Sequence, residues 1–276
     1  LYGGDANFDN MKGFVMANGF NRVLNWDEGF FTNNNDGTMW GKFDHIMFDK
    51  LLDIADEKGD TPFMINFFTT TNHDPYKVPK SYESRIPEFK MGKEKYIRAK
   101  RTMAYNDIVL SEFFEDAKTH DWYDNTIFII TADHGLNIHR NIPNHPLNGH
   151  IPFIIYSPMI DSPIESNKIV SQIDILPTLF DLMGEDHFLP QLYGNSGLKG
   201  GDGFACRVAH QNLQWITPNH TYYEFMGSDK HQLFTYSSIW DEVYTELPTS
   251  NPRFNMLQTQ GQHYIQHAYY QFKHMY

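Results

Sequence analysis

Asp133 and His134 stand side by side at the end of residues 125–135, Asn-Thr-Ile-Phe-Ile-Ile-Thr-Ala-Asp-His-Gly. A carboxylate oxygen and an imidazole nitrogen placed together supply half of a first-row metal site. A plainer reading of these residues alone is an aspartate capping a turn beside a surface histidine. A second polar cluster, Thr69-Thr70-Thr71-Asn72-His73-Asp74-Pro75, follows another apolar run and brings His73 to a strand terminus, where a substrate can be met. His150 precedes an apolar run instead of following one. It reaches the same end of a sheet only if its strand runs antiparallel or the loop before it folds over. Asp5 follows Gly3-Gly4, a sequence that also serves ordinary turns. His139 and His145 read as solvated loop histidines, and Asp174 as the cap of a helix starting near Pro177.

The elements that must position these residues follow from pattern. Residues 125–131 and 62–68 are short, β-branched and aromatic runs, which read as strands buried on both faces. Between and before them lie helical patterns: residues 7–17 with Asn7 as cap and Gly19 beyond the end, residues 43–57, and a long helix over 93–118. For that long helix the inward positions are expected to be Tyr96, Ile97, Met103, Ala104, Ile108, Phe113 and Phe114. Residues 25–38 form a polar, Asn-rich loop suited to a site rim. Alternation of buried strands with amphipathic helices specifies an α/β fold, a three-layer α/β/α sandwich around a mostly parallel sheet. In such sheets, ligands collect outside the carboxyl ends of the strands. Within residues 171–184, Pro177 fits the first turn of a helix ending at Gly184, and beyond about Gly194 short alternating segments near 220–226 and 232–237 indicate a small antiparallel appendage. The last stretch, 255–276, reads as a helix with an aromatic face that packs. The expected organisation is a catalytic core over 1–193 and an appendage with a terminal helix over 194–276.

Composition bounds the partners. At 276 residues, 41% of them hydrophobic, the chain can bury a full core. A net charge of -12 argues against nucleic acid, because phosphate backbones need basic stripes. A single cysteine, Cys206, excludes an intramolecular disulfide framework. No run is long enough to span a membrane. The chain opens Leu-Tyr-Gly-Gly without Met, which leads us to expect a fragment or processed form.

Five motifs occur in a characteristic order: Tyr2-Gly3-Gly4-Asp5 with Phe8-Asp9-Asn10-Met11; Thr71-Asn72-His73-Asp74-Pro75; Asp124-Asn125-Thr126-Ile127 leading to Asp133-His134-Gly135; His150-Ile151-Pro152-Phe153; and Ser171-Gln172-Ile173-Asp174 leading to Pro177-Thr178. Over residues 1–184 the chain thereby resembles the lipoteichoic acid synthase group. Its members are phosphoglycerol transferases with a sulfatase-like fold inside the alkaline phosphatase superfamily. The resemblance implies one divalent ion, commonly manganese, with magnesium, zinc or calcium as alternatives, held in part by Asp133 and His134. It implies a threonine nucleophile that attacks the phosphorus of phosphatidylglycerol, releases diacylglycerol and passes phosphoglycerol to a glycan or glycolipid acceptor. A metal bound to that oxygen favours the alkoxide and neutralises phosphoryl charge. An imidazole beside the entering or leaving oxygen supplies a hydrogen bond or proton. His73 matches the histidine that contacts the transferred phosphate, His150 is the further catalytic candidate, and Asp5 matches an acidic residue near the glycerol.

The resemblance also implies a bacterial cell-membrane protein whose catalytic domain is extracytoplasmic and whose anchoring helices are absent from this chain. In the group, the nucleophile and the other acidic ligand lie N-terminal to the position where this chain begins, so the chain alone is expected to be inactive. The Trp and Arg that follow the Gly-Asp motif in the group are not matched, since Asp9, Asn10 and Met11 stand there. Two other readings stay open: a sulfatase or phosphodiesterase-type hydrolase using the same Asp-His pair, and a non-catalytic binding domain that keeps the fold.

Overall fold

A computed structural model describes residues 1–26, 36–136, 145–185, 194–209 and 211–274. His139 lies outside them. The elements in chain order are α1 (Met11–Ala17), β1 (Gly37–Thr38), β2 (Gly41–Lys42), α2 (Asp44–Asp56), α3 (Glu94–Ala117), β3 (Phe128–Thr131), β4 (Phe153–Tyr156), α4 (Ile175–Leu182), β5 (Ala205–Ala209), β6 (Asn212–Thr217), β7 (His220–Phe225), β8 (His231–Thr235), β9 (Thr245–Leu247) and α5 (Pro252–His274). They group into two compact units, Leu1–Ile127 with Ser157–Ile160, and Phe128–Tyr156 with Asp161–Tyr276.

In the first unit, α2 and α3 pack through Phe48 and Phe113, whose ring centroids are 4.9 Å apart, and over a buried cluster of Val78, Tyr105 and Val109. The buried stripe of α3 is Ala99, Thr102, Tyr105, Val109, Phe113 and Ala117, spaced three or four residues apart. It differs from the expected one. Met103 is exposed, whereas Thr102 turns inward because its hydroxyl donates to Asn72 Oδ1 at 2.7 Å and to the Ala99 carbonyl at 2.9 Å. The C-terminal ends of the two helices are tied through Asp56, which accepts from Trp122 Nε1 at 2.8 Å and meets His120 Nδ1 at 2.7 Å.

Residues 62–68 do not form the expected buried strand. Among the described residues their backbone pairing is with the start of the chain: the Leu1 amine donates to the Asn66 carbonyl at 2.7 Å, Phe68 N–H donates to the Leu1 carbonyl at 3.0 Å, and Tyr2 bridges Phe68 in parallel. Two bonds and one bridge do not make a ladder, and Met64 and Phe68 stay exposed. Asn7 likewise makes no cap with its side chain; a short 3-10 turn, Phe8–Asn10, precedes α1.

In the second unit, β3 pairs antiparallel with β4, Phe128 opposite Tyr156 and Thr131 opposite Phe153. The β3 strand is half-buried and exposed at Thr131, not buried on both faces. The pairs that form registered ladders among the described residues are antiparallel, and parallel geometry occurs at the bridges Tyr2–Phe68 and Ile169–Gly203. The expected cap is displaced: α4 begins at Ile175 after a 3-10 turn, Gln172–Asp174, closed by a capping box in which Ser171 N–H donates to Asp174 Oδ2 at 2.7 Å, and Gly184 ends the helix, as expected, at a φ of 74°. The other Asp174 oxygen accepts from Asn195 N–H at 2.6 Å, so the chain after residue 194 is stitched to α4. Strands β5 to β9 form a five-stranded antiparallel sheet in sequence order. The helix α5 lies on it, burying Phe254, Leu257 and Gly261 against Trp215, Tyr222 and Leu233. Its aromatic face is divided: Tyr264 packs, whereas Tyr269, Tyr270 and Phe272 are exposed.

Candidate metal and phosphoryl-transfer site

Asp133 and His134 occupy the turn directly after β3, and both side chains face solvent. The Asp133 Oδ1 accepts the His134 backbone N–H at 2.8 Å, which turns the chain, and leaves Oδ2 3.5 Å from His134 Nε2. The His134 Nδ1 sits 3.1 Å from the Gly135 carbonyl. A carbonyl only accepts, so the proton is on Nδ1 and the Nε2 lone pair is free. A metal-bound histidine is usually oriented in this way, its second nitrogen donating to a carbonyl. Gln172 Nε2 donates to the carbonyls of both Ala132 and Asp133 at 2.9 Å, bracing the turn from outside. One carboxylate oxygen and one imidazole nitrogen, adjacent and pre-oriented, fit a divalent ion as two of its donors. Among the described residues they are not joined by a third His, Cys, Asp or Glu.

The antiparallel course of β4 decides the position of His150. The Thr131–Phe153 register puts the start of β4 at the same end of the pair as Asp133, with the chain around 148–150 against Gly135. His150 is exposed there, edge-on to Trp240 at a centroid distance of 5.2 Å. Gly135 has a role the sequence did not reveal. A β-carbon there would stand 2.7 Å from the Asn148 carbonyl and 3.0 Å from that of His150, so close approach of two backbones requires glycine. His145 departs from expectation altogether. It is 3% exposed, its Nδ1 accepts from Leu147 N–H at 3.2 Å, and its ring lies 4.6 Å from Tyr244.

The other two candidates belong to the first unit and meet around a residue that sequence reading missed, Trp40. Its ring lies 4.1 Å from that of His73 and 6.0 Å from Phe8. Gly4 presses so closely on the Trp40 carbonyl that a β-carbon would stand 2.3 Å from it, and Lys42 N–H donates to the Gly3 carbonyl at 3.0 Å. The Gly-Gly pair therefore seats the Asp5 turn on Trp40–Lys42. Asp5 Oδ1 accepts from Asn7 N–H at 2.8 Å and from Asn7 Nδ2 at 3.0 Å, which is turn chemistry. His73 Nδ1 faces the Asp74 carbonyl at 3.0 Å, leaving Nε2 free. The signal for Trp40 was its place beside the Asn-rich rim loop, an aromatic among polar and glycine residues.

The threonines before His73 are structural. Thr70 and Thr71 N–H donate to buried Asp44 Oδ1 at 2.8 and 3.1 Å, and Asp44 N–H donates to Thr71 Oγ1 at 3.0 Å. Asp44 is 1% exposed, and its other oxygen has no partner. Burial pushes its carboxyl up to about 6 against the pull of the Thr70 and Thr71 N–H groups and the Thr71 hydroxyl. Cys206 is similarly inert, its thiol raised to about 12 by burial.

Residues 1–185 match the sulfatase family, and the chain belongs to it. A lipoteichoic acid synthase-like protein of Bacillus subtilis is 28% identical over 177 residues, covering 58% of this chain and 28% of its own length. The lipoteichoic acid synthase of Staphylococcus aureus is 26% identical over 178 residues, covering 60% of this chain and 27% of its own. The chain thus spans little more than a quarter of these relatives. Among solved structures, a protein of the alkaline phosphatase superfamily from Vibrio parahaemolyticus superposes with a TM-score of 0.77 at 27% identity, over 96% of this chain and 63% of the other. The lipoteichoic acid synthase LtaP from Listeria monocytogenes gives 0.75 at 18% identity, over 97% and 68%. The fold is that of the alkaline phosphatase superfamily, and the family is one of phosphoryl-transfer or sulfatase-like enzymes.

Proposed function

We propose that the protein transfers phosphoglycerol from phosphatidylglycerol to a glycan or glycolipid acceptor at the bacterial cell envelope, on the outer side of the membrane, with a divalent ion, manganese first among candidates. The observation that carries this reading is the Asp133–His134 turn, whose free Nε2 and Oδ2 stand 3.5 Å apart and are braced by Gln172. The similarity to lipoteichoic acid synthases supports the choice of substrate. Asp133 and His134 would hold the ion, which when bound supplies charge neutralisation at the phosphoryl oxygens. His73, whose Nδ1 faces the Asp74 carbonyl and whose ring lies against Trp40, would donate to a phosphoryl oxygen or accept a proton through Nε2. His150 is the second candidate for proton transfer, and Asp5 the contact for the glycerol hydroxyls. The domain division at about residue 193 belongs to the same proposal, with the metal pair before it.

The test incubates the full-length protein with labelled phosphatidylglycerol and manganese beside a His134→Ala variant. Metal-dependent release of diacylglycerol that the variant loses supports the assignment. Absence of release from protein shown to bind the ion refutes it and favours hydrolysis, the reading suggested by the sulfatase family itself.

A further inference from the structure

Residues 202–264 enclose a cleft of about 640 Å³ between the turn joining β6 to β7 and the first three turns of α5. It lies wholly in the second unit and beyond residues 1–185, so the chemistry of the sulfatase family assigns it nothing. The volume falls within the roughly 300–1,000 Å³ of small-molecule sites.

The lining is mixed in a particular way. Trp215, 5% exposed, forms part of the wall, and its indole N–H is a buried donor without an acceptor. Buried donors are nearly always paired, so an unpaired one within the wall marks this cleft as unlike ordinary core packing and makes its resonance a reporter of what enters. Phe204 stacks on Trp215 at 4.3 Å and 18°, and Tyr264 meets both edge-on at 5.4 Å, which presents half-buried aromatic surface beside that donor. On the rim, Arg253 is exposed and pairs with no carboxylate among the described residues, while Asp202 contributes the opposite charge. Burial, and then the neighbouring Arg253 charge, hold His220 below the ordinary imidazole range, so near neutral pH it is uncharged and both donates and accepts. Gln260 adds an amide with the same double capacity.

A bare phosphate or carboxylate would meet Asp202 and a neutral imidazole, a poor fit. A sugar ring presents C–H faces to aromatic rings and hydroxyls that donate and accept, and it needs no net charge. We propose that this cleft is a binding site for a neutral saccharide, seated on Phe204 and Tyr264 against the wall that holds Trp215. The assignment does not depend on the phosphoryl-transfer reading.

The experiment follows the indole N–H resonances of the 15N-labelled protein during titration with maltotriose, chitotriose and inorganic phosphate. Trp215→Phe identifies the resonance of interest, and calorimetry on an Arg253→Ala/Gln260→Ala double variant, which alters exposed positions only, measures affinity even if the Trp215 variant fails to fold. The expected result is a saturable shift of the Trp215 resonance with at least one saccharide and none with phosphate. The double variant should bind about tenfold more weakly with unchanged thermal stability, and His134→Ala should bind as the parent does. Absence of a shift with both saccharides, a shift with phosphate instead, or undiminished affinity in the double variant overturns the proposal.

Discussion

Gly135 lies against the carbonyl of Asn148 with no room for a side chain: a β-carbon at position 135 would stand 2.7 Å from that oxygen. This contact holds the segment leading into β4 against the turn that carries His134. Gly135→Ala forces one backbone away from the other. The expected cost is about 1–3 kcal/mol by thermal or denaturant unfolding, the range of an overpacked site. In the full-length protein the same variant should weaken manganese binding, if the turn holds the ion as proposed, out of proportion to its stability.

Asp133→Ala and His134→Ala remove exposed side chains, and each should change stability by less than about 0.5 kcal/mol. Each should abolish tight manganese binding in calorimetry of the full-length protein. Gln172→Leu keeps both donors but frees the carbonyls of Ala132 and Asp133, and should weaken the metal about 10- to 100-fold, the usual effect of losing an outer partner. Unchanged affinity in all three would exclude this turn as the metal site.

Asp44 has a folded pKa of about 6 against an ordinary 3.8, so the folded state binds its proton more tightly than the unfolded state. The stability it contributes is therefore full below pH 3.8 and is lost as pH rises through about 6. Asp44→Asn should flatten the stability profile between those limits by up to about 1.4 kcal/mol per pH unit. Urea unfolding of both proteins at several pH values is the check, and parallel profiles would show that Asp44 does not titrate in this range.

Tyr222 is fully buried and donates its hydroxyl to Glu224 at 2.7 Å, and Gln262 on α5 reaches the same carboxylate at 2.8 Å. Tyr222→Phe removes one donor from a buried acceptor, with an expected cost of about 1–3 kcal/mol in equilibrium unfolding. Gln262→Leu should cost less, because Gln262 is only half-buried and water can replace it.

The helices were legible because their stripes and end signals are local. The Gly184 stop stands where the sequence puts it, Asp174 takes part in the cap but with Ser171 at its head, and the hairpin segments of the C-terminal sheet announce themselves by alternation. The residues 62–68 run misled because apolar, β-branched composition reports a liking for strand and not the presence of partners; among the described residues, Leu1 and Tyr2 supply the strand-like pairing. The inward face of α3 was misjudged by counting large apolar residues, when Thr102 wins burial through two hydrogen bonds. Of the candidate residues, Asp133, His134, His73 and His150 were visible as types, but the antiparallel sense of β4, which brings the chain at His150 to the Asp133 end of its strand pair, was not. Trp40 escaped because its partners, Gly4 and His73, lie far from it in the chain.

The order of β5 to β9 has a kinetic consequence. Each strand pairs with its sequence neighbour, so the sheet is built from short closures of low contact order and little chain entropy. The β3–β4 pair must instead bring Thr131 to Phe153 across an intervening stretch of chain. Refolding should then protect the amides of β6 and β7 from solvent exchange before those of β3. Pulse-labelled hydrogen exchange would read this order directly, and earlier protection of β3 would refute it. The turn proposed to hold the metal would be among the last parts to settle, finished on a scaffold already formed.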